Sequence, residues 1–202
     1  MTIGKFAVLV AFCAAAPVAE ATAQTLGTPV FQAPYRAFQR LELGGTFSDP
    51  GRGIAVEGHY RFASGPKYDF GLLAGLRDND PGDSQLLLGG DFRTMILPHS
   101  EDFPLDGALT LGVGATLGGG SSRVLIPVGL SLGRRIALED SQVELTPYLH
   151  PVAALLFGDS NTDLIFGLGL GLNARLSRQF EIRVAGALGD YDGVSVGVSI
   201  LR

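Results

Sequence analysis

Leu164-Ile165-Phe166-Gly167-Leu168-Gly169-Leu170-Gly171-Leu172-Asn173 is the stretch that decides the fold of this chain. Side chains of an extended strand alternate between its two faces, so this segment carries leucines on one face and glycines ending in an asparagine on the other. Val194-Ser195-Val196-Gly197-Val198-Ser199-Ile200 repeats the pattern. Between Phe38 and Leu201 such stretches recur about ten times, each roughly the length a tilted strand needs to cross a bilayer.

The candidate strands are 38–48, 54–62, 68–77, 84–95, 105–117, 123–135, 142–156, 163–176, 180–189 and 194–201. Turn chemistry separates them: Asp49-Pro50-Gly51, Ser64-Gly65-Pro66, Asp80-Pro81-Gly82-Asp83, Gly118-Gly119-Gly120, Gly158-Asp159-Ser160-Asn161 and Asp190-Tyr191-Asp192-Gly193. Short connections make neighbours antiparallel, and an even strand number lets the sheet close with both ends on one side. The expected fold is all-β: an antiparallel up-and-down transmembrane β-barrel of about ten strands, with eight as the alternative count.

Alternation alone admits two barrels, one with its apolar face inward around a hydrophobic ligand and one with that face outward to lipid. The apolar face is crowded with Leu43, Phe47, Val56, Tyr60, Phe62, Phe70, Leu72, Leu111, Phe166 and their equivalents, more than a small interior holds. The other face mixes small residues with charge. By parity it carries Glu42, Glu57, Asp69, Asp91, Asp106, Glu144, Asp163 and Glu181 against Arg40, Arg61, Arg77, Arg93, Arg135, Arg175 and Arg183, with His59 and His150 among them. Eight acids against seven bases fits a lumen in which buried charges must be paired. Arg134 is the one charge on the apolar face, and it falls at a strand end, where it can snorkel. The membrane orientation is therefore expected.

Lys5, the apolar run Phe6 to Ala16 and Ala21-Thr22-Ala23 read as an export signal over 1–23. Residues 24–36, with Pro29 and Pro34 and no period, read as a periplasmic leader, and 37–202 as the barrel domain. The single cysteine, Cys13, lies in the signal, so no disulfide, cysteine metal site or cofactor is expected. A net charge of −5 argues against nucleic acid. The 13 Arg against 2 Lys suit cations paired in a confined space, because the planar guanidinium meets carboxylates bidentately.

The signal and the alternating segments together resemble small outer-membrane β-barrel proteins of bacteria with a two-membrane envelope. Such barrels end in an assembly signal, which Ser195, Gly197 and Ile200 match while Arg202 stands where an aromatic is usual. The resemblance implies an outer-membrane location, contact with outer-membrane lipid, and handling by the barrel assembly machinery. It also implies a periplasmic start, so that 49–53, 78–83, 118–122, 157–162 and 190–193 face outward.

Several functions remain open on sequence. The first is a structural or envelope-associated barrel with a charge-paired lumen. A narrow pore for small solutes or ions is the next, with Gly112, Gly114, Gly129, Gly133, Gly167, Gly169 and Gly171 lining it. In the opposing reading these glycines relieve crowding, and Tyr148 and long Arg side chains fill the gap. A soluble ligand-binding barrel and a lipid-acting barrel enzyme complete the set. For the last, His99-Ser100 lies in the Pro98–Pro104 turn, and no His falls in the outward loops. The acidic rim, Asp49, Asp78, Asp80, Asp83, Asp159, Asp163, Asp190 and Asp192, is expected to reflect the turn-forming habit of Asp. Pro127, Pro147 and Pro151 predict a poorly paired ladder between strands 123–135 and 142–156.

Overall fold

The computed structural model describes residues 27–202 except 52, 80–82, 121, 140 and 159–160, and the export signal expected over 1–23 lies outside the described residues. The strands are β1 (Leu41–Asp49), β2 (Ile54–Ala63), β3 (Tyr68–Asn79), β4 (Asp83–Leu97), β5 (Asp106–Gly118) and β6 (Arg123–Gly133), then the two-residue β7 (Ile136–Ala137). They continue with β8 (Glu144–Phe157), β9 (Thr162–Arg175), β10 (Phe180–Gly189) and β11 (Gly193–Leu201). Every pairing is antiparallel. Sequential strands neighbour one another, β1 pairs with β11, and β6 pairs with β8, which closes the sheet. β7 continues the line of β6 along β8, so the wall has ten staves. Closure leaves no sheet edge, the condition a β-structure must meet in lipid.

One rim holds the start of β1 and the end of β11, and is called the terminal rim below; the other is the far rim. At the terminal rim the carbonyl of Arg202 accepts from the amides of Gln39, Arg40 and Leu41, while its own amide donates to Leu41 at 2.8 Å. The chain end is thus stitched to the first strand.

The direction of the alternation follows the expectation. Leu72, Leu76, Val56, Leu111, Phe166 and Val198 lie on the exposed outer surface, and Glu42, Glu57, Arg61, Asp69, Asp91 and Arg93 are buried inside. Near the terminal rim Tyr60, Phe62, Phe70, Phe92 and Tyr68 form an outer aromatic chain, with Phe70 and Phe92 centroids 5.1 Å apart. Such a cluster suits a membrane–water interface. Arg134 sits between β6 and β7, exposed, and donates to the carbonyl of Pro104 at 3.0 Å.

The wall is weakest around β6, as its prolines predict. Ladder partners are interrupted between Leu111↔Val128 and Gly114↔Leu125 on one side, and between Gly129↔Val152 and Leu132↔Leu149 on the other. Pro127 falls in the first gap and Pro151 in the second, because a prolyl nitrogen has no hydrogen to donate. Pro147 keeps its place opposite Leu172. The outer wall is concave over this break, an apolar groove of about 640 Å³ lined by Leu109, Val128, Pro151, Phe166 and Leu188 among others.

Two outcomes follow. Leu111→Arg, mid-span on the outer face of β5, lowers folding stability in lipid by about 2–4 kcal/mol in a denaturant titration, whereas Ile96→Arg near the rim costs far less. Hydrogen exchange is faster at 112–113, 126 and 130–131 than in the flanking ladder; uniform protection along β6 would contradict the break.

Candidate functional site: the filled lumen

The lumen has two unlike halves. The wall of β1 to β4 is charged. Arg61 on β2 donates to Asp69 at 3.1 Å through Nε and to Asp91 at 2.9 Å through Nη1. Arg93 closes on the other oxygen of Asp69 at 3.0 and 2.9 Å. Register explains the reach: Arg61, Gly71 and Asp91 stand side by side across β2, β3 and β4. A Cβ on Gly71 would fall 2.5 Å from Asp91 and 2.6 Å from Arg61, so only glycine leaves the pair room to meet. Across the β1–β11 seam, Arg183 clamps Glu42 through Nη1 at 2.6 Å and Nη2 at 2.8 Å, and donates to Glu181 at 2.6 Å. Asn173 adds a donor to Glu181 at 3.0 Å. Paired, bidentate geometry of this kind is what lets charge stay buried.

The wall of β6 to β10 is apolar and shallow: Leu125, Tyr148, Val152, Ala154, Ala185 and Ala187 cluster there, joined by Tyr191 from the far-rim turn. The glycine face is filled. A Cβ at Gly167 would strike the Tyr191 ring, one at Gly169 the Phe31 ring, and one at Gly171 the Tyr148 ring. Gly129 is covered by His150 and Thr110, and Gly133 by Tyr148 and Pro34. Gly112 borders a residual cavity of about 30 Å³.

Phe31 and Pro34 belong to the segment the sequence placed outside the barrel as a periplasmic leader. Its described part, from residue 27, instead crosses the lumen from the far rim to the terminal rim. It carries no strand or helix, as Pro29 and Pro34 require. Thr28 donates to Glu57 at 2.6 Å, and Ser195 to the carbonyl of Pro29 at 2.8 Å. Lower down, Tyr148 donates to Phe31 O at 3.0 Å, Ser131 to Gln32 O at 2.6 Å, and Gln32 to Asp91 at 2.8 Å. Arg93 donates to Ala33 O at 2.7 Å, and Tyr35 to Asp106. Arg36 reaches the carbonyl of Gly65 at the terminal rim at 2.7 Å. This strap is two-sided like the lumen. Thr28 and Gln32 meet the carboxylates, while Phe31 stands edge-on to His150 and Tyr191 in the apolar half.

Other residues singled out from the sequence fall at different depths. Glu144 bridges Arg175 at 3.2 Å and Arg135 at 3.7 Å, at the terminal rim and partly exposed. Arg40 and Asp163 are exposed and lie outside the buried network. Ser195 is buried and holds the strap, Gly197 packs on Thr46, and Ile200 faces outward. Gly114 pairs with Gly89 and Leu125 in the ladder.

Histidine geometry bears on catalysis. His59 Nε2 meets Glu42 at 2.8 Å and Ser199 at 3.2 Å, so acid and hydroxyl compete for one ring nitrogen. A triad needs them on opposite nitrogens. His99 Nδ1 meets Asp106 at 2.9 Å, while Ser100 Oγ accepts from the amide of Phe103 at 3.2 Å.

No family profile and no curated protein matches the chain. Among solved structures it is similar to the β domain of the Bordetella autotransporter BrkA, with 13% identity, over 80% of this chain and 99% of that one, at a TM-score of 0.56. It also aligns with a de novo designed transmembrane β-barrel at 14% identity, over 81% and 98%, at a TM-score of 0.38. The chain has the fold of an outer-membrane β-barrel protein, a closed antiparallel up-and-down barrel.

The contact between strap and glycine face gives a test. Gly169→Leu drives into Phe31 and lowers stability by about 1–3 kcal/mol in a urea titration. Adding Phe31→Ala restores part of the loss, and an unchanged midpoint for Gly169→Leu alone would show that no ring lies there.

Proposed function

We propose that this chain is a closed outer-membrane barrel with a structural or envelope-associated role, exported by its N-terminal signal and inserted by the barrel assembly machinery. The observation that carries this reading is the filled lumen. Phe31, Tyr148 and Tyr191 occupy the glycine face, and the strap hydrogen bonds to both walls over its whole crossing. Beside it lie two cavities of about 30 Å³ each, one against His150 and one against Glu57 and His59. Each has room for a water or two, far short of a continuous path. The outward leucines supply the lipid-contacting belt, and a soluble carrier would need the opposite polarity.

No catalytic role is proposed. The lumen histidines are buried against protein partners, and His59 meets acid and hydroxyl on the same ring nitrogen, unlike the histidine of a Ser-His-acid triad. The narrow-pore reading is second, favoured by the polar charged wall that the strap covers.

Reconstituted into planar bilayers, the full chain is expected to give no resolvable channels at moderate voltage. Steady conductance from protein verified as folded by heat-modifiable gel mobility would contradict the closed lumen.

A further inference from the structure

The strap does not touch the lumen at random. Of its four side-chain donors, the three above Arg36 each end on a carboxylate: Thr28 on Glu57, Gln32 on Asp91, and Tyr35 on Asp106. These acids descend from the far rim through mid-barrel to the terminal rim, in the order in which the strap passes them. Among buried or nearly buried lumen groups of the described residues, Glu42, Glu57, Asp69, Asp91, Asp106 and Glu181 face Arg61, Arg77, Arg93 and Arg183. Carboxylates are in excess. Residues 27–35 contain no charged side chain, so the strap fills space and satisfies acceptors without balancing that excess.

Glu57 shows the imbalance most plainly. It is buried, its Oε2 takes the Thr28 hydroxyl, and its Oε1 has no partner while bordering the cavity it shares with Gln32 and Asp91. Gln32 Oε1 is likewise unpartnered. The strap is also unequally held. Its base is fixed by Arg36 on Gly65, by buried Phe38, and by the amides of Gln39 and Arg40 on Arg202. The segment at the far rim depends on Thr28, on the carbonyl of Pro29 and on the Gly27 carbonyl.

From this arrangement we infer that the strap covers a cation path. Displaced from the far rim, it uncovers a ladder of three carboxylates along the space it occupied, whose oxygens can replace part of a small cation's hydration shell. An extended chain occupies about 4.8 Å by 10 Å in cross-section, which is the passage its departure leaves. Acidic rings or ladders of this kind select cations in channels. This inference rests on the closed-barrel reading and assigns the strap as its gate.

The test is reversal potential in asymmetric KCl, on folded protein in planar bilayers, for the full chain and for a chain lacking residues 27–38. The full chain stays silent and the shortened barrel conducts, passing potassium severalfold better than chloride. Glu57→Gln in the shortened barrel lowers that preference roughly two-fold, since the ladder acid nearest the far rim is then neutral while Asp91 stays paired with Arg61. A second variant keeps the whole chain but weakens the strap with Phe31→Ala, Gln32→Ala and Tyr35→Phe; it shows brief cation-selective openings. This variant decides the matter if the deletion does not fold. A folded strap variant that never opens, or one that passes chloride as readily as potassium, overturns the cation path. Steady conductance by the untouched chain overturns instead the closed lumen.

Discussion

Charge turned inward in a narrow barrel has to be paired, and the volume around it has to be filled. The rest of the structure follows from meeting both demands. Arg61 and Arg93 converge on Asp69, and Arg183 joins Glu42 to Glu181 across the seam where the first and last strands meet. Leaving any one of these charges alone in a low-dielectric interior would cost several kcal/mol. The same contacts therefore reinforce the backbone ladder among β2, β3 and β4, and reach across β11 to link β1 with β10.

Filling is achieved by a different device on the opposite wall. Glycines along β9 remove side chains from the sheet, and large rings from elsewhere occupy the space: Tyr148 from the neighbouring strand, Tyr191 from a turn, Phe31 from the strap. The strap joins the two solutions. Its apolar residue is received by the glycine face and its polar residues by the charged face, so a segment without regular structure finds one depth and one rotation in the lumen. Its crossing from Thr28 to Tyr35, at about 3.3 Å per extended residue, spans roughly the 25 Å of an apolar belt.

Much of this was legible in the sequence because strand alternation has a period of two and a barrel obliges that period to persist. Leu111 and Leu72 outside, Arg61 and Asp91 inside, and the disturbed ladder at Pro127 and Pro151 all follow from parity and from a missing amide hydrogen. Parity says nothing of height. Arg40 and Asp163 have the inward parity yet are exposed, and Arg135 with Glu144 sits at a rim. Gly167, Gly169 and Gly171 declare that something lies close to the wall but not what it is. Tyr148, opposite Gly171, was within reach of a sequence reading, but Phe31 comes from the far end of the chain and Tyr191 from a turn. Residues 27–38 have no period, and their contacts lie up to 166 residues away, as from Pro29 to Ser195. Nothing in their pattern marks this segment as an occupant of the lumen, although Phe31 suits the apolar half that receives it and Thr28 and Gln32 suit the charged half.

The filled lumen depends on the strap lying inside it, and one measurement reaches that directly. In a chain with Cys13→Ser, Pro29→Cys and Ser195→Cys place two thiols at the strap and at the inner face of β11. Oxidation of the folded protein in lipid vesicles should give the cross-linked species nearly completely, detected by mass spectrometry, with none in the unfolded chain. A strap thiol that instead reacts with a bulky water-soluble maleimide in the folded barrel, without any cross-link, would place the strap outside and contradict the account.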